Sequence, residues 1–234
     1  MKWVYDSLNR FSQRPWYERE EMDKLCQNII YDFLRSRNCE IVFPISTGDL
    51  TVLVEQHTSD LDHAADLSMR GPGIEGVTDF VIGAKPVVLI DKKLSMSDDL
   101  WAQYRFRSTM MHEFGHVIFH NALVPLVLDT VVLNEVNLPR SCSCNETSML
   151  LPQHVDWMEW QASYAASAFL MPVDSLLSLT NKLLKEWRAK ERMCVQSRVG
   201  KDIISQVKKA FLVSPSAAKV RLLQLEVLSE APGF

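Results

Sequence analysis

The sequence predicts an α+β fold in which a helix and several short strands precede a mainly helical second half. Three observations indicate this class. Apolar residues recur at helical spacing between Glu18 and Arg37, which is typical of a helix with one buried face. Short segments rich in Val, Ile, Leu and Phe follow, each bounded by Gly, Pro or Asp. From His154 onward the pattern is helical almost to the end of the sequence.

The short apolar segments predict a small sheet. Four strands are expected, at Glu40 to Ile45, Leu50 to Gln56, Asp79 to Ile82 and Pro86 to Ile90. The polar stretch between His57 and Gly76 contains Gly71-Pro72-Gly73, which favours a loop between the second and third strands.

A long helix is predicted from about Asp98 to Asn121, because Pro125 cannot continue a helix interior. Ser214 followed by Pro215 is typical of a helix N-cap and first turn. Including that segment, four further helices are expected, at His154 to Leu170, Asp174 to Trp187, Ser197 to Phe211 and Ser214 to Ser229.

Composition and charge exclude several classes of function. The net charge is −4, so no broad basic surface is implied and direct nucleic-acid binding is not expected. The first residues lack the apolar run of a signal peptide, and polar residues interrupt the most apolar stretch, so no membrane span is expected. An odd number of cysteines, five, without a secretory signal predicts reduced thiols and a cytoplasmic location.

The chemistry is concentrated in His112-Glu113-Phe114-Gly115-His116, a His-Glu-x-x-His motif. Residues four apart lie on one face of a helix, so His112 and His116 can offer two imidazoles to one metal ion. Glu113 is then placed to act on a metal-bound water rather than on the metal itself. The flanking residues are mostly apolar, which indicates a buried helix whose ionisable residues need a partner such as a divalent cation.

His120 extends the same helix but is not expected to be a metal ligand. It lies eight residues beyond His112, about 12 Å further along the axis at about 1.5 Å per residue. We interpret it as a residue that supports the ligands, packs in the core or contacts substrate.

A catalytic zinc site needs a third protein ligand and an open position for water. Downstream of the motif, Glu159 begins an apolar segment rich in small residues, which could pack closely against the motif helix and bring a carboxylate back to the histidines. Asp156 and His154 remain alternatives on spacing alone, and an acid facing solvent at a helix N-terminus would have the same pattern. The pair Cys142-x-Cys144 lacks a second pair, and we interpret it as two loop thiols.

Two motifs resemble the ImmA/IrrE family of zinc metallopeptidases. The family's Arg-Phe-Thr-Leu-Ala-His-Glu-Leu-Gly-His, with a further His four residues on, is matched by Arg107 to His116 and then His120. Its Glu-x-x-Ala-Asn-x-Phe-Ala-Ala, ending in Leu-Leu-Met-Pro, is matched by Glu159 to Pro172, with Ser163 in place of the Asn. A C-terminal Phe-x-Val-Ser corresponds to Phe211 to Ser214.

The resemblance implies a zincin-like core: a small mixed sheet, a metal-binding helix and a helix that carries the ligand glutamate. It implies that Zn²⁺ is held by His112, His116 and Glu159, with Glu113 as the catalytic base. We expect this domain to occupy residues 1–175 with its N-terminal helix, followed by a helical C-terminal subdomain at residues 176–234.

The implied activity is hydrolysis of a peptide bond by a zinc endopeptidase, acting on a helix-turn-helix repressor in a mobile element or a stress response. His120, His154 and Tyr164 are candidates for stabilising the transition state, and the sequence does not choose among them. The alternative is a zinc-stabilised sensor that recognises a regulator without cleaving it. An intact Glu113 counts against this alternative, because metal binding alone does not need it.

Overall fold

The structure is a computed structural model, and it describes residues 1–37, 40–123, 141–144, 156–189 and 193–231. Helices and small sheets alternate along the chain, which confirms the predicted α+β class. Among the described residues, no single helix is long and apolar enough to cross a membrane. One bent pair of consecutive helices, Trp157–Leu170 with Val173–Glu186, reaches that length and apolar content only when the two are taken together.

The described chain divides into two compact units. The first combines Met1–Met22 with Thr47–Ala166, and the second combines Asp23–Ser46 with Ser167–Phe234. The predicted domain boundary after residue 175 stays a prediction, because compactness alone does not show which segments fold independently.

The first unit begins with an antiparallel hairpin, β1 (Lys2–Tyr5) and β2 (Gln13–Trp16), for which no strands were predicted. Asp6 shapes the connection, since its buried carboxylate accepts hydrogen bonds from the backbone N–H groups of Leu8, Arg10 and Phe11, each at 3.1 Å. This satisfies backbone donors that no strand partner serves.

Helix α1 (Arg19–Ser36) follows the hairpin, close to the predicted bounds. Two strand predictions are wrong here: Glu40 to Ile45 forms no strand, and Leu50 to Gln56 lies within helix α2 (Thr47–His57). Leu50, Leu53 and Val54 are buried on one face at helical spacing, so packing overrides the strand preference of the β-branched residues.

A four-stranded sheet forms the centre of the first unit, with strand order β3-β5-β4-β6. β3 (Asp60–Ala65) lies where a loop was expected and pairs in parallel with β5 (Val87–Asp91). β4 (Gly76–Asp79) begins earlier than the predicted third strand and pairs antiparallel with β5 on one side and with β6 (Ser141–Cys144) on the other. The sheet is therefore mixed, as predicted, and β6 is one of its edges.

Two helices complete the part of the first unit that positions the motifs. After the short helix α3 (Lys92–Ser95), helix α4 spans Leu100–His120 and is buried along most of its length. Helix α5 spans Trp157–Leu170, and its residues up to Ala166 belong to this unit. Both helices lie close to the predicted bounds.

The second unit is mainly helical. After α1 it contains α6 (Val173–Glu186), α7 (Arg198–Phe211) and α8 (Pro215–Gln224), with the short parallel pair β7 (Met193–Cys194) and β8 (Leu228–Ser229). The predicted N-cap before α8 is confirmed, because the Ser214 hydroxyl accepts the backbone N–H of Ala217 at 3.1 Å. Within this unit, the buried guanidinium of Arg221 donates to Asp23 at 2.6 Å.

Candidate metal centre

The His-Glu-x-x-His motif lies in the buried part of α4. His112, Glu113 and His116 are each fully buried. Because the two histidines are one turn apart, their ring centroids are separated by 4.9 Å and their Nε2 atoms by 3.2 Å. The Nε2 atoms of both rings are thus directed at one point, where a single metal ion could lie.

Glu159 reaches this point from the first turn of α5. Its Oε2 atom lies 3.2 Å from Nε2 of His112, and its Oε1 atom lies 3.3 Å from Nε2 of His116. The three side chains offer ligand atoms within 4.8 Å of one another, so they could hold a metal ion. The structure brings together the three residues that the resemblance implies as ligands.

The alternative ligand Asp156 is used differently. Its carboxylate pairs with both terminal nitrogens of Arg10, at 2.8 and 3.1 Å, and accepts the backbone N–H of Met158 at 3.0 Å. These contacts make Asp156 a cap for the N-terminus of α5. His154, the other alternative, lies outside the described residues.

Close packing of the two helices is what brings Glu159 to the histidines. Gly115 faces α5, and a Cβ atom there would lie 2.9 Å from the Cα of Ala162 and 3.3 Å from the Cβ of Ala165. Small residues on both helices therefore permit an approach that larger side chains would block.

Each histidine nitrogen that faces away from this point has its own hydrogen-bond partner. Nδ1 of His112 lies 3.3 Å from the hydroxyl of Ser163, and Nδ1 of His116 lies 2.9 Å from Nδ1 of His120. Nε2 of His120 lies 3.0 Å from Oε1 of Gln161. Such partners hold ligand rings in place and select their tautomers.

The hydrogen bonds that link His116, His120 and Gln161 allow one self-consistent placement of the protons. Oε1 of Gln161 only accepts, so Nε2 of His120 carries a proton and Nδ1 of a neutral His120 accepts from Nδ1–H of His116. Once a metal ion displaces the second proton of His116, this arrangement leaves Nε2 unprotonated, which is the form that ligates a metal. Burial and the neighbouring His116 lower the pKa of His120 well below its ordinary value, which keeps that ring neutral.

The N-terminal hairpin holds residues of α5 next to these hydrogen bonds. The amide of Gln161 donates to the backbone carbonyl of Pro15 at 3.0 Å, and the indole N–H of Trp157 donates to Asp6 at 3.0 Å. Two residues of α5, one on either side of Glu159, are thereby fixed by the first sixteen residues of the chain.

Glu113 lies between α4 and strand β4. The hydroxyl of Thr78 donates to its Oε2 atom at 2.6 Å, while its Oε1 atom is buried without a hydrogen-bond partner among the described residues. A Cβ atom at Gly76 would lie 2.6 Å from that Oε1 atom, so glycine leaves the space it occupies. Burial raises the pKa of Glu113, although the two nearby histidines oppose this effect.

Electrostatic coupling is strong within the ligand set. Burial alone would raise the pKa of Glu159, but His116 and His112 lower it below the ordinary value. Burial alone would lower the pKa of His116, but Cys142 and Glu159 raise it well above the ordinary value. In the absence of a metal ion, these side chains thus stabilise one another as an ion pair, with the proton on His116 and the negative charge on Glu159.

The cysteine pair corrects another prediction. Cys142 and Cys144 are not loop thiols but belong to β6, and both are buried on the same side of that strand. Cys142 interacts with His116. The sulfur of Cys144 lies within 4.8 Å of ligand atoms of both His112 and Glu113.

Tyr164, a candidate for stabilising the transition state, is buried on α5. Its ring packs against that of Trp160, with centroids 5.6 Å apart. The role of Tyr164 stays a prediction.

Comparison with known proteins gives the class. Residues 85–223 match a family of metallopeptidases, so the protein belongs to that class. The family is Peptidase_M78, described as the IrrE N-terminal-like domain, and because the match covers more than half of the sequence, the chain is a member of it. The resemblance drawn from the motifs is thereby confirmed. No curated protein matches the chain significantly.

Sequence reasoning missed four contributors to the site: Gly76, Thr78, Gln161 and Cys144. Gln161 could have been identified from the sequence, because it lies two residues beyond Glu159 in the second motif. The other three lie on strands whose pairing brings them to α4, and no local pattern in the sequence encodes that pairing.

Proposed function

We propose that the chain is a zinc-dependent endopeptidase with a zincin-like core, in which His112, His116 and Glu159 bind the metal and Glu113 is the catalytic base. One observation carries the proposal. Two Nε2 atoms and both oxygens of Glu159 converge in a buried site, and the buried carboxylate of Glu113 lies within 4.8 Å of a ring nitrogen of His112.

The donor set fits zinc. Two imidazoles and one carboxylate are a known ligand combination for catalytic zinc, which keeps one position open. When bound, zinc would polarise the scissile carbonyl and acidify a water molecule at that position. The buried Oε1 atom of Glu113 supports this fit, because among the described residues its nearest polar group is the thiol of Cys144, a weak donor, and a metal-bound water would be a stronger one.

Glu113 supplies the proton transfer. Thr78 holds its Oε2 atom, which leaves Oε1 to accept a proton from the attacking water. The same carboxyl group then delivers this proton to the leaving amine. Its raised pKa brings it closer to neutral pH, where a general base and acid works best.

His120 is assigned a positioning role. Both of its ring nitrogens are engaged, one with His116 and the other with Gln161, so neither is available to a developing oxyanion. Tyr164 remains a candidate for that role, and so does His154, which lies outside the described residues.

For the substrate, we propose a helix-turn-helix repressor in a mobile element or a stress response. The support is family membership and the motif resemblance. We also propose a cytoplasmic location, which is supported by the free thiols of Cys26, Cys142, Cys144 and Cys194.

The test compares metal content and hydrolysis of a repressor of this class in matched variants. We expect Glu113→Gln to keep bound zinc but lose cleavage by a factor of about 100 or more. Glu159→Gln should lose zinc, whereas Asp156→Asn, which changes a neighbouring carboxylate that caps α5, should keep it. Cleavage by Glu113→Gln at the wild-type rate would refute the catalytic role.

The same experiment tests the sensor alternative. A sensor would bind the repressor with equal affinity in wild type and Glu113→Gln and would cleave it in neither. Zinc retained after Glu159→Gln would contradict the proposed ligand set.

A further inference from the structure

Strand β6 lies along the strand that borders Glu113. It pairs antiparallel with β4, with Cys144 opposite Gly76 and Cys142 opposite Thr78. The backbone N–H of Glu75 extends this pairing by donating to the carbonyl of Cys144 at 2.9 Å. On its other side, β4 pairs with β5, so β6 occupies the remaining edge of β4.

An edge of this kind is where an extended peptide would be expected to bind. Extended peptides commonly bind proteins by adding a strand to an exposed sheet edge, where backbone hydrogen bonds supply affinity. Gly76 and Thr78 place this edge directly beside the carboxylate of Glu113. The chain thus holds one of its own segments where a substrate strand would pair.

The two buried side chains of β6, Cys142 and Cys144, lie on the side of the strand that borders the site. Cys144 is fully buried, and its sulfur lies within 4.8 Å of ligand atoms of both His112 and Glu113. Tetrahedral zinc has Zn–S bonds of about 2.3 Å and Zn–N bonds of about 2.0 Å, which places sulfur and nitrogen about 3.5 Å apart. The sulfur meets the 4.8 Å distance to His112 but not to all three proposed ligands, so it would have to move toward the ion that His112, His116 and Glu159 hold.

We propose that β6 is an internal pseudosubstrate and that Cys144 is a fourth metal ligand, so that the described conformation is a latent form of the peptidase. The thiol of Cys144 would lose its proton to solvent, and its sulfur would bond to the metal that His112, His116 and Glu159 hold. Four protein ligands leave no open position, which is the arrangement of a structural zinc site rather than a catalytic one.

Latency in this form rests on the proposed function, because a thiolate blocks hydrolysis only where a catalytic metal is bound. Release of β6 from β4 would free the coordination position and the sheet edge in a single movement. A substrate strand and β6 would then compete for the same backbone groups of β4.

Ligation can be measured without activity. The metal-free full-length protein would be loaded with one equivalent of Co²⁺, and near-ultraviolet absorption would be recorded for thiolate-to-cobalt charge transfer. We expect the band in wild type and its loss in Cys144→Ser. Cys194→Ser, altered in the other unit, should keep it.

A second measurement does not depend on whether the variants fold. X-ray absorption of the zinc-loaded wild type should show one sulfur scatterer at about 2.3 Å beside the nitrogen and oxygen ligands. Absence of sulfur, or a cobalt band that survives Cys144→Ser, would overturn the proposal.

Repressor cleavage separates latency from the underlying activity. Cys144→Ser should cleave faster than wild type by about tenfold, since activity scales with the fraction of molecules in the open form. Cys194→Ser should match wild type. A sulfur ligand without cleavage in any variant would refute the peptidase function but keep the assignment of Cys144. Cleavage without a sulfur ligand would support the peptidase function but refute the assignment of Cys144.

Discussion

A Cβ atom at Gly115 would lie 2.9 Å from the Cα of Ala162, which is closer than side-chain atoms normally approach a backbone. This contact sets the separation of α4 and α5, and that separation sets the distance between the Nε2 atoms of the motif and the carboxylate of Glu159. Packing at one glycine therefore controls the geometry of the candidate metal centre.

We expect Gly115→Ala to weaken both folding and metal binding. Alanine favours a helix by up to about 1 kcal/mol over glycine, but overpacking against a backbone costs about 1–3 kcal/mol, so the net change is destabilising. Urea unfolding and chelator competition measure the two effects. Gln103→Ala, at an exposed position of the same helix, should alter neither. Unchanged zinc affinity in Gly115→Ala would show that α5 is positioned by other contacts.

Ser163 is expected to tune metal affinity through His112. Its hydroxyl lies 3.3 Å from Nδ1 of that ring, and loss of such a partner typically weakens metal binding by about 10- to 100-fold. Ser163→Ala should show this loss in chelator competition, and Ser163→Asn, which carries the family's residue, should restore part of it. Ser167→Ala, on the same helix but bonded to Gln224, is the control. Equal affinities in Ser163→Ala and wild type would remove this role.

Metal affinity should fall with decreasing pH from a higher pH than free imidazole would predict. The pKa of His116 is raised above its ordinary value of about 6.5 in the metal-free protein, so a metal ion must displace a more tightly held proton. The affinity is therefore greatest above the raised pKa and declines as pH falls through it. Chelator competition between about pH 6 and 9 measures this decline.

Glu159→Gln tests the cause of that shift. Cys142 and Glu159 both raise this pKa, so removing the carboxylate should lower the pKa of His116 in the metal-free protein, which an NMR titration of its ring would measure. A decline centred on the pKa of free imidazole in the wild type would contradict the proposed coupling.

The buried ion pair in the second unit should contribute strongly to stability. Arg221 is fully buried and donates to Asp23 at 2.6 Å, so Asp23→Ala would leave a buried charge without this partner and cost about 3–5 kcal/mol. Urea unfolding measures the change. Asp32→Ala, which breaks an exposed pair with Arg35, should cost less than about 1 kcal/mol. Similar costs for both variants would show that burial does not govern the pair.

Much of the site could be predicted because its chemistry is local. One helical turn fixes the spacing of His112 and His116, and the small residues around Ala162 are by themselves typical of close helix packing. Glu159 needed the family resemblance as well, because spacing alone could not exclude Asp156. The structure shows the difference: Asp156 is engaged by Arg10 and by the helix N-terminus.

The predictions that were wrong concern segments whose structure depends on distant partners. Residues 50–56 combine β-branched and apolar side chains, which favour a strand in isolation, but three of them form the buried face of α2. Cys142-x-Cys144 has the weak signature of a loop, yet pairing with β4 makes it a buried strand. Strand pairing is a long-range property, so short sequence patterns encode it poorly.

The run of hydrogen bonds from Pro15 through Gln161 and His120 to His116 has a practical consequence for anyone who trims the protein. The segment that matches the family begins at residue 85. A fragment cut to those limits would keep every proposed ligand, yet it would discard both Pro15, which anchors Gln161, and Thr78, which holds Glu113. The smallest piece worth expressing is therefore larger than the homologous segment.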